Sequence, residues 1–297
     1  MMSKTTHVVL GASGHIGSAV VSELQNAKIP VLALTHSPAT ADRLIASGVK
    51  AQAVDVTDTG ALRSIFRTAR RAFLLNPPAD QGSDTDSVER ATSSSIADAV
   101  NGSGLEKVVV ASTYGAQPGD GIGDLSVLYE FEHLIERAGV PIAVNRGAYY
   151  FTNLEQLLGA ARKGTILTPF PEDLVMPMVS PVDLGKQAAV RLLSPTADVG
   201  IRYIEGPDRY TFLDVAAAFS DALGHAVLLQ KIPDDQIEAN LRDMGFSHAA
   251  ADAYARMTRA SIEGMELPDD HVRGEVGLRD YLRDLVFPVG GHSTVLY

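Results

Sequence analysis

Short runs of almost wholly apolar residues alternate, through the first half of the chain, with longer segments whose apolar positions recur every three or four residues. The first run, residues 7–10, ends at a glycine-rich turn. From residue 16 to 25 the positions Ile16, Val20, Val21 and Leu24 share one helical face. A second run covers 30–34, and Pro38 then opens a helical segment that closes near Gly48. A third run covers 51–56, after which Asp58 caps a helix to residue 67. The fourth, 72–75, is stopped by Asn76-Pro77-Pro78. A polar-to-helical stretch, 84–100, leads to a fifth run at 108–111. A helix over 125–138 precedes a sixth run at 141–144.

Strands that are apolar on both sides predict a sheet covered on both faces, which is the habit of parallel sheets between helix layers. The predicted fold is therefore α/β, a Rossmann-type doubly wound parallel sheet over residues 1–150. After about residue 148 the alternation loosens. Segment 179–183 precedes a helix at 184–193, with Asp183 as its expected N-cap. A strand follows at 201–204, Thr211 caps a helix over 212–223 closed by Gly224, and another strand covers 227–231. Two amphipathic helices (233–244, 247–264), a short helix (278–285) and a tail (287–297) complete the chain. Residues 151–297 are expected to form a smaller α/β lobe packed on the first, with segments such as 179–205 free to return to the large sheet.

Composition narrows the function. The chain has 297 residues, 45% hydrophobic and 21% charged, with net charge −11 and no cysteine. The acidic balance argues against nucleic acid or an anionic membrane as partner, since both require basic surface. Without cysteine there is no disulfide, thiolate nucleophile or cysteine–metal site. The histidines His7, His225, His248 and His271 show no metal-ligand spacing, and no metal is expected. There is no apolar stretch of about 18 residues to span a bilayer. The expectation is a cytoplasmic monomer or homodimer acting on a small molecule.

Gly11-Ala12-Ser13-Gly14-His15-Ile16-Gly17 fits G-x-x-G-x-x-G between the first strand and the first helix, the context of a dinucleotide fingerprint. The helix N-terminus there offers amides and partial positive charge to a diphosphate. After the second strand, NAD-specific chains place a carboxylate for the ribose 2′-hydroxyl. This chain has Thr35-His36-Ser37 instead, with Arg43 about a turn beyond, so NADP(H) is favoured over NAD(H). His36 either meets the 2′-phosphate or is an exposed loop residue. Asp55 and Val56 either border the adenine or simply turn the chain.

With these motifs in place the chain resembles the NmrA-like group of atypical short-chain dehydrogenases, which includes quinone and triphenylmethane reductases and non-catalytic redox sensors. The resemblance rests on the glycine turn, residues 33–38, Val110-Ala111-Ser112-Thr113, Ala138-Gly139-Val140-Pro141, residues 145–154, Ser180-Pro181-Val182-Asp183, Tyr203-Ile204-Glu205-Gly206-Pro207 and Thr211-Phe212. It implies a Rossmann domain with a small C-terminal substrate lobe. The family commonly has a basic residue at position 36 and many relatives carry a lysine or histidine near the start of the helix holding Glu132. This chain has His36, and residues 125–138 contain no lysine. The Tyr-x-x-x-Lys pair of ordinary members is missing. Tyr129 and His133 stand at helical i,i+4 spacing, either as a weak proton couple or as a helix contact.

The strand ends supply the remaining candidates. Asn76 and Pro77 follow the fourth strand, Ser112 and Tyr114 the fifth, and Arg146, Tyr149, Tyr150 and Phe151 the sixth. Asn76, Pro77, Ser112 and Arg146 are expected at the cofactor, Arg146 on a phosphate or on a carboxylate. Tyr114, Tyr149, Tyr150 and Phe151 are expected to line the substrate site, with Tyr114 and Tyr149 the catalytic candidates. An aromatic wall suits a flat conjugated acceptor. The expected reaction is hydride transfer from NAD(P)H to a quinone, dye or enone. The alternative is a dinucleotide sensor that acts through a protein partner.

Overall fold

The computed structural model describes residues 5–264 and 267–288. The large layer begins β1 (His7–Val9), α1 (His15–Asn26), β2 (Val31–Thr35), α2 (Pro38–Ala46), β3 (Ala51–Ala53), α3 (Thr59–Phe66) and β4 (Arg71–Leu74). It continues with α4 (Thr85–Val100), β5 (Lys107–Thr113), α5 (Asp124–Arg137) and β6 (Ile142–Gly147). Next come β7 (Tyr149–Tyr150), a 3-10 turn over Phe151–Leu157, α6 (Leu158–Ala161), β8 (Thr165–Thr168), β9 (Met176–Val179) and α7 (Pro181–Leu193). The rest is β10 (Gly200–Glu205), β11 (Arg209–Tyr210), α8 (Phe212–Leu223), β12 (Leu228–Lys231), α9 (Ile237–Asp243), α10 (His248–Glu263), β13 (His271–Arg273) and α11 (Leu278–Val286).

Eight strands form one sheet in the order β13-β10-β6-β5-β4-β1-β2-β3, each neighbour parallel. Strand residues alternate between two cores. Val8, Leu10, Ala72, Leu74, Val108 and Val110 face Leu62, Phe66, Ile96, Phe131 and Ile135 of α3, α4 and α5. Val9, Phe73, Val109 and Ala143 face Val20, Leu24, Ala188 and Leu192 of α1 and α7. The two-sided apolar pattern thus arises from helices on both faces. The short, partly exposed β3 forms one edge of the sheet, and only 51–53 of the expected run is strand; beyond it Asp55 turns the chain by accepting from Thr57 N at 2.8 Å.

The small lobe gathers around Phe151, Phe170, Met176, Met178, Phe212 and Phe219. Its sheets are β11-β9-β7 and β12-β8. Of these only β12, Leu228–Lys231, coincides with a run expected from sequence. All five run two to four residues, too short to display a period. Thr211 caps α8 through a reciprocal box with Asp214, and Gly224 closes it at φ +72°. The chain does not stay in this lobe: α7, β10 and β13 lie with the large sheet. The tail expectation for 287–297 falls mostly on residues 289–297, outside those described.

Asp183 corrects an expectation. Ser180 is the N-cap of α7, accepting from Val182 N at 3.1 Å. Asp183 is buried one turn in, and its two carboxylate oxygens accept from Glu275 N and Val276 N, both at 3.1 Å. It thereby fastens the chain after β13 to α7. At the opposite end of α7, Lys107 is wholly buried and donates to the carbonyls of Arg191 (2.8 Å) and Pro195 (3.2 Å), while Arg71 donates to those of Leu192 and Ser194. Cations are favoured at a helix C-terminus. Asp183→Asn keeps one acceptor oxygen and loses the other, leaving a covered amide unsatisfied. It is expected to cost about 1–3 kcal/mol in chemical denaturation; an unchanged midpoint would contradict the assigned role.

Candidate functional site

The glycine turn lies where β1 leaves the sheet. Gly11 holds φ +68°, and a Cβ on Gly17 would stand 2.2 Å from Gly11 O, a separation no side-chain carbon tolerates. The turn is thus closed by backbone against backbone. Ala12 N is bonded to Leu34 O at 2.9 Å and Gly14 N to Gly11 O at 3.0 Å. Gly14 caps α1 without a side chain, and no acidic residue occupies the first turn. The helix N-terminus therefore keeps its positive pole outward at the carboxyl edge of the sheet, a cradle that fits a diphosphate. Ser13 Oγ lies 3.2 Å from Thr35 Oγ1 and ties the turn to the end of β2. His15 approaches Glu155 of the small lobe at 3.9 Å, and Ile16 packs beside Tyr150 and Leu184.

Beyond β2, His36 is exposed, and Ser37 caps α2 through a long 3.4 Å bond from Thr40 N. Arg43 extends into solvent, bonded to Thr40 Oγ1 at 2.9 Å. Asp55 is a turn residue bound by Thr57 N and Oγ1, bonds that lower its pKa, with the nearby His36 adding to the effect. Val56 is half-buried against the core.

At the other strand ends the structure sorts the candidates. Asn76 donates through Nδ2 to Glu89 O at 3.1 Å, beside a half-buried Pro77. Ser112 Oγ donates to Glu132 Oε1. Arg146 holds the same carboxylate by two bonds, 3.0 and 2.8 Å, and is itself buried. Of the two expected roles for Arg146, it takes the carboxylate partner, and the phosphate role is corrected. Tyr150 donates to Ser112 O at 3.1 Å and stays at the ends of β5 and β6, half-buried.

Two aromatic expectations, for Phe151 and Tyr114, are corrected. Phe151 has no exposed surface and is a core residue of the small lobe. Tyr149 packs edge-on against Phe170 (5.8 Å between centroids) and Phe212 (6.1 Å), and burial raises its hydroxyl pKa. Tyr114 is buried, with its hydroxyl donated to Glu205 Oε1 at 3.2 Å. Burial and the Glu205 charge raise its pKa far above the ordinary phenol value. The Tyr114 hydroxyl is thus already committed to Glu205. Glu205 itself has no exposure, and Arg209 grips it at 2.9 and 2.8 Å. It joins the large sheet to the small lobe. Tyr129 and His133 are a helix contact: the rings lie 4.2 Å apart and His133 Nδ1 meets Tyr129 O at 2.8 Å.

Reading by residue type missed Glu89 and Asp124. Glu89 is nine-tenths buried and accepts from Ala79 N at 2.9 Å, and its carboxyl meets that of Asp124, the first residue of α5. The buried face of α4 is polar (Thr85, Asp86, Glu89, Thr92, Ser93), so hydrophobic periodicity gave no sign of it.

A doubly wound parallel sheet with this glycine cradle at its carboxyl edge defines a Rossmann-type α/β protein. The chain belongs to the NmrA-like family, whose model matches residues 3–265. It is 27% identical over 247 residues to the NAD(P)H azoreductase of Xenophilus azovorans, covering 83% of this chain and 84% of that protein. It is 23% identical over 253 residues to quinone oxidoreductase 2 of Escherichia coli strain K12, covering 83% and 85%. Among solved structures, triphenylmethane reductase of Citrobacter sp. in complex with NADP(H) superposes with TM-score 0.77 at 18% identity, over 94% of this chain and 99% of that one.

Gly17→Ala places a methyl group into Gly11 O. The expected result is at least tenfold weaker pyridine nucleotide binding in a fluorescence titration, with the circular dichroism spectrum preserved. Binding at full affinity would contradict the cradle.

Proposed function

We propose that the protein is an NAD(P)H-dependent oxidoreductase, with NADPH preferred, that reduces a small conjugated acceptor such as a quinone or an azo compound. The observation that carries this reading is the cradle formed by Gly11, Gly14 and Gly17, in a chain similar along most of its length to an NAD(P)H azoreductase.

In this reading the residues from Gly11 to Gly17 hold the diphosphate, with Ser13 fixed by Thr35. His36, Ser37 and Arg43 receive the 2′-phosphate. This places two nitrogen-bearing side chains where NAD-specific chains carry a carboxylate. Val56 borders the adenine, and Asn76 and Pro77 flank the nicotinamide half. When bound, the reduced nicotinamide supplies a hydride. The protein aligns the acceptor and excludes water. Tyr150, at the joint of β5 and β6 with its hydroxyl anchored on Ser112 O, provides the face on which a flat acceptor stacks; ring stacking adds about 0.5–1.5 kcal/mol beyond burial. The helix α5 contributes no lysine, and in this reading the proton does not come from a tyrosine–lysine couple.

Purified protein is expected to oxidise NADPH when offered naphthoquinones or azo dyes. No oxidation with any such acceptor, together with tight binding that discriminates NADPH from NADP+, would instead establish the sensor reading. His36→Arg is expected to raise the NADPH over NADH preference, measured as the ratio of kcat/KM, by roughly tenfold, and His36→Glu to reverse it, since one added or removed ionic contact is worth about 1–3 kcal/mol. Tyr114→Phe is expected to leave kcat within about twofold while lowering stability by about 1 kcal/mol. A large fall in kcat would restore Tyr114 as a catalytic group.

A further inference from the structure

The proposed reductase needs a proton for its acceptor; the Tyr114 hydroxyl is tied to Glu205, and the half-buried Tyr149 ring packs against Phe170 and Phe212 of the small lobe. The loops that follow β4 and β5 bring two carboxyl groups together instead. Glu89, 4% exposed, stands one turn into α4, and Ala79 N from the loop after β4 donates to its Oε1 at 2.9 Å. Asp124 opens α5 immediately after the loop from β5, and its carboxyl is hydrogen-bonded to that of Glu89. Two carboxyl oxygens form such a bond only with a proton between them, and like charges at this distance oppose double ionisation.

The surroundings reinforce this. On α4 itself Asp86 adds negative charge. The nearest cation on that helix, Arg90, is held by Glu130 of α5 at 2.9 and 3.1 Å and by Asp86 at 3.5 Å. Tyr254 of α10 and Tyr150 of β7 lie near enough to these carboxyls for their negative charge to raise both phenol pKa values, after burial, which is the larger cause. Arg256 of α10 is paired with Asp252 and lies by Gly121. No cation is therefore directed at the pair among these neighbours. Burial and the mutual charge push the Glu89 carboxyl up to about 8, and Asp124 is also raised.

Two polar atoms point to a ligand at this place. Thr85, 2% exposed, stands four residues before Glu89 on the same helical face, and its Oγ1 has no hydrogen-bond partner in the protein. Asn76 Oδ1, on the side chain that donates to Glu89 O, is also buried without one. Buried polar atoms require partners; Thr85 shares a helical face with Glu89, and the Asn76 side chain is bonded to the Glu89 backbone just after β4.

We propose that Glu89 and Asp124 hold a single shared proton and deliver it to the acceptor reduced in the crevice beside Tyr150, the role a tyrosine–lysine couple fills in ordinary short-chain dehydrogenases. The inference rests on the reductase reading. The acceptor gains two electrons as hydride from the dinucleotide, which is left oxidised. The O–H bond of the carboxyl pair breaks, its proton bonds to the acceptor's anionic oxygen or nitrogen, and both carboxyls are left ionised. A proton from solvent restores the pair.

The test uses the full chain and two near-isosteric variants, Glu89→Gln and Asp124→Asn. Infrared spectroscopy of the protein without nucleotide is expected to show one protonated carboxyl at neutral pH, absent from each variant. With a naphthoquinone and NADPH, kcat is expected to fall by roughly 100-fold in both variants, with KM for NADPH moved less than twofold. The wild-type kcat falls as pH rises through about 8, and the variants lose that limb of the profile. A stability readout is independent of turnover. The Glu89 carboxyl is raised from 4.5, so the stabilisation it provides below that pH is lost as pH rises to about 8. The wild-type Tm should decline across that window and the Glu89→Gln Tm should decline less. Absence of the protonated carboxyl, or variants with unchanged kcat and pH profile, overturns the proposal while leaving the reductase reading standing. Wild-type protein that oxidises no NADPH with any acceptor overturns both.

Discussion

At Gly17, helix and turn meet with no room for a side chain: the place a Cβ would occupy is 2.2 Å from Gly11 O. This contact sets the angle at which α1 leaves the sheet, and the angle decides what the helix N-terminus faces. Since Gly14 offers no capping side chain and no acidic residue occupies the first turn, the positive pole of the helix stays directed at the crevice. The same helix is pressed against α7, where a Cβ on Gly185 would lie 2.4 Å from that of Ala19. A glycine on each side of α1 thus fixes it between the sheet edge and its neighbour.

From that anchor the rest of the site is positioned by carboxylates rather than by hydrophobic contact alone. Glu132 collects Ser112 and Arg146 behind β5 and β6. Glu205 collects Tyr114 and Arg209 where the large sheet meets the small lobe. Asp183 ties the chain after β13 to α7. Each is buried and satisfied by several donors, the condition under which a buried charge is tolerable. Glu89 and Asp124 differ, because their partner is another acid. An arrangement that costs stability at neutral pH, at the carboxyl edge of a parallel sheet, is the kind that functional sites retain.

The two layers were legible in unequal degree. The large sheet's first six strands and their helices stood out because each strand is apolar on both faces and each helix has a clear stripe. The glycine turn was readable because its spacing and its place between strand and helix are local. Asp183 precedes an apolar helical run and so has the local pattern of a cap, whereas Ser180 makes the cap and Asp183 reaches a chain segment some ninety residues away. Tyr114, Tyr149 and Phe151 lie at or just past strand ends, as the sequence pattern implies, but side-chain direction there depends on the packing of the small lobe. Its strands of two to four residues carry no period.

The order of residues by itself determined the doubly wound sheet, the site of the glycine cradle and the lack of a lysine on α5, because each depends on neighbours within a few turns of one another. Only the tertiary structure decided which aromatic rings face the crevice, that Arg146 serves Glu132, and that Glu89 meets Asp124. Those outcomes join groups 14 to 35 residues or more apart in the chain. They hinge on which way a buried polar side chain turns once its own strand or helix is already in place, and no local pattern encodes that direction.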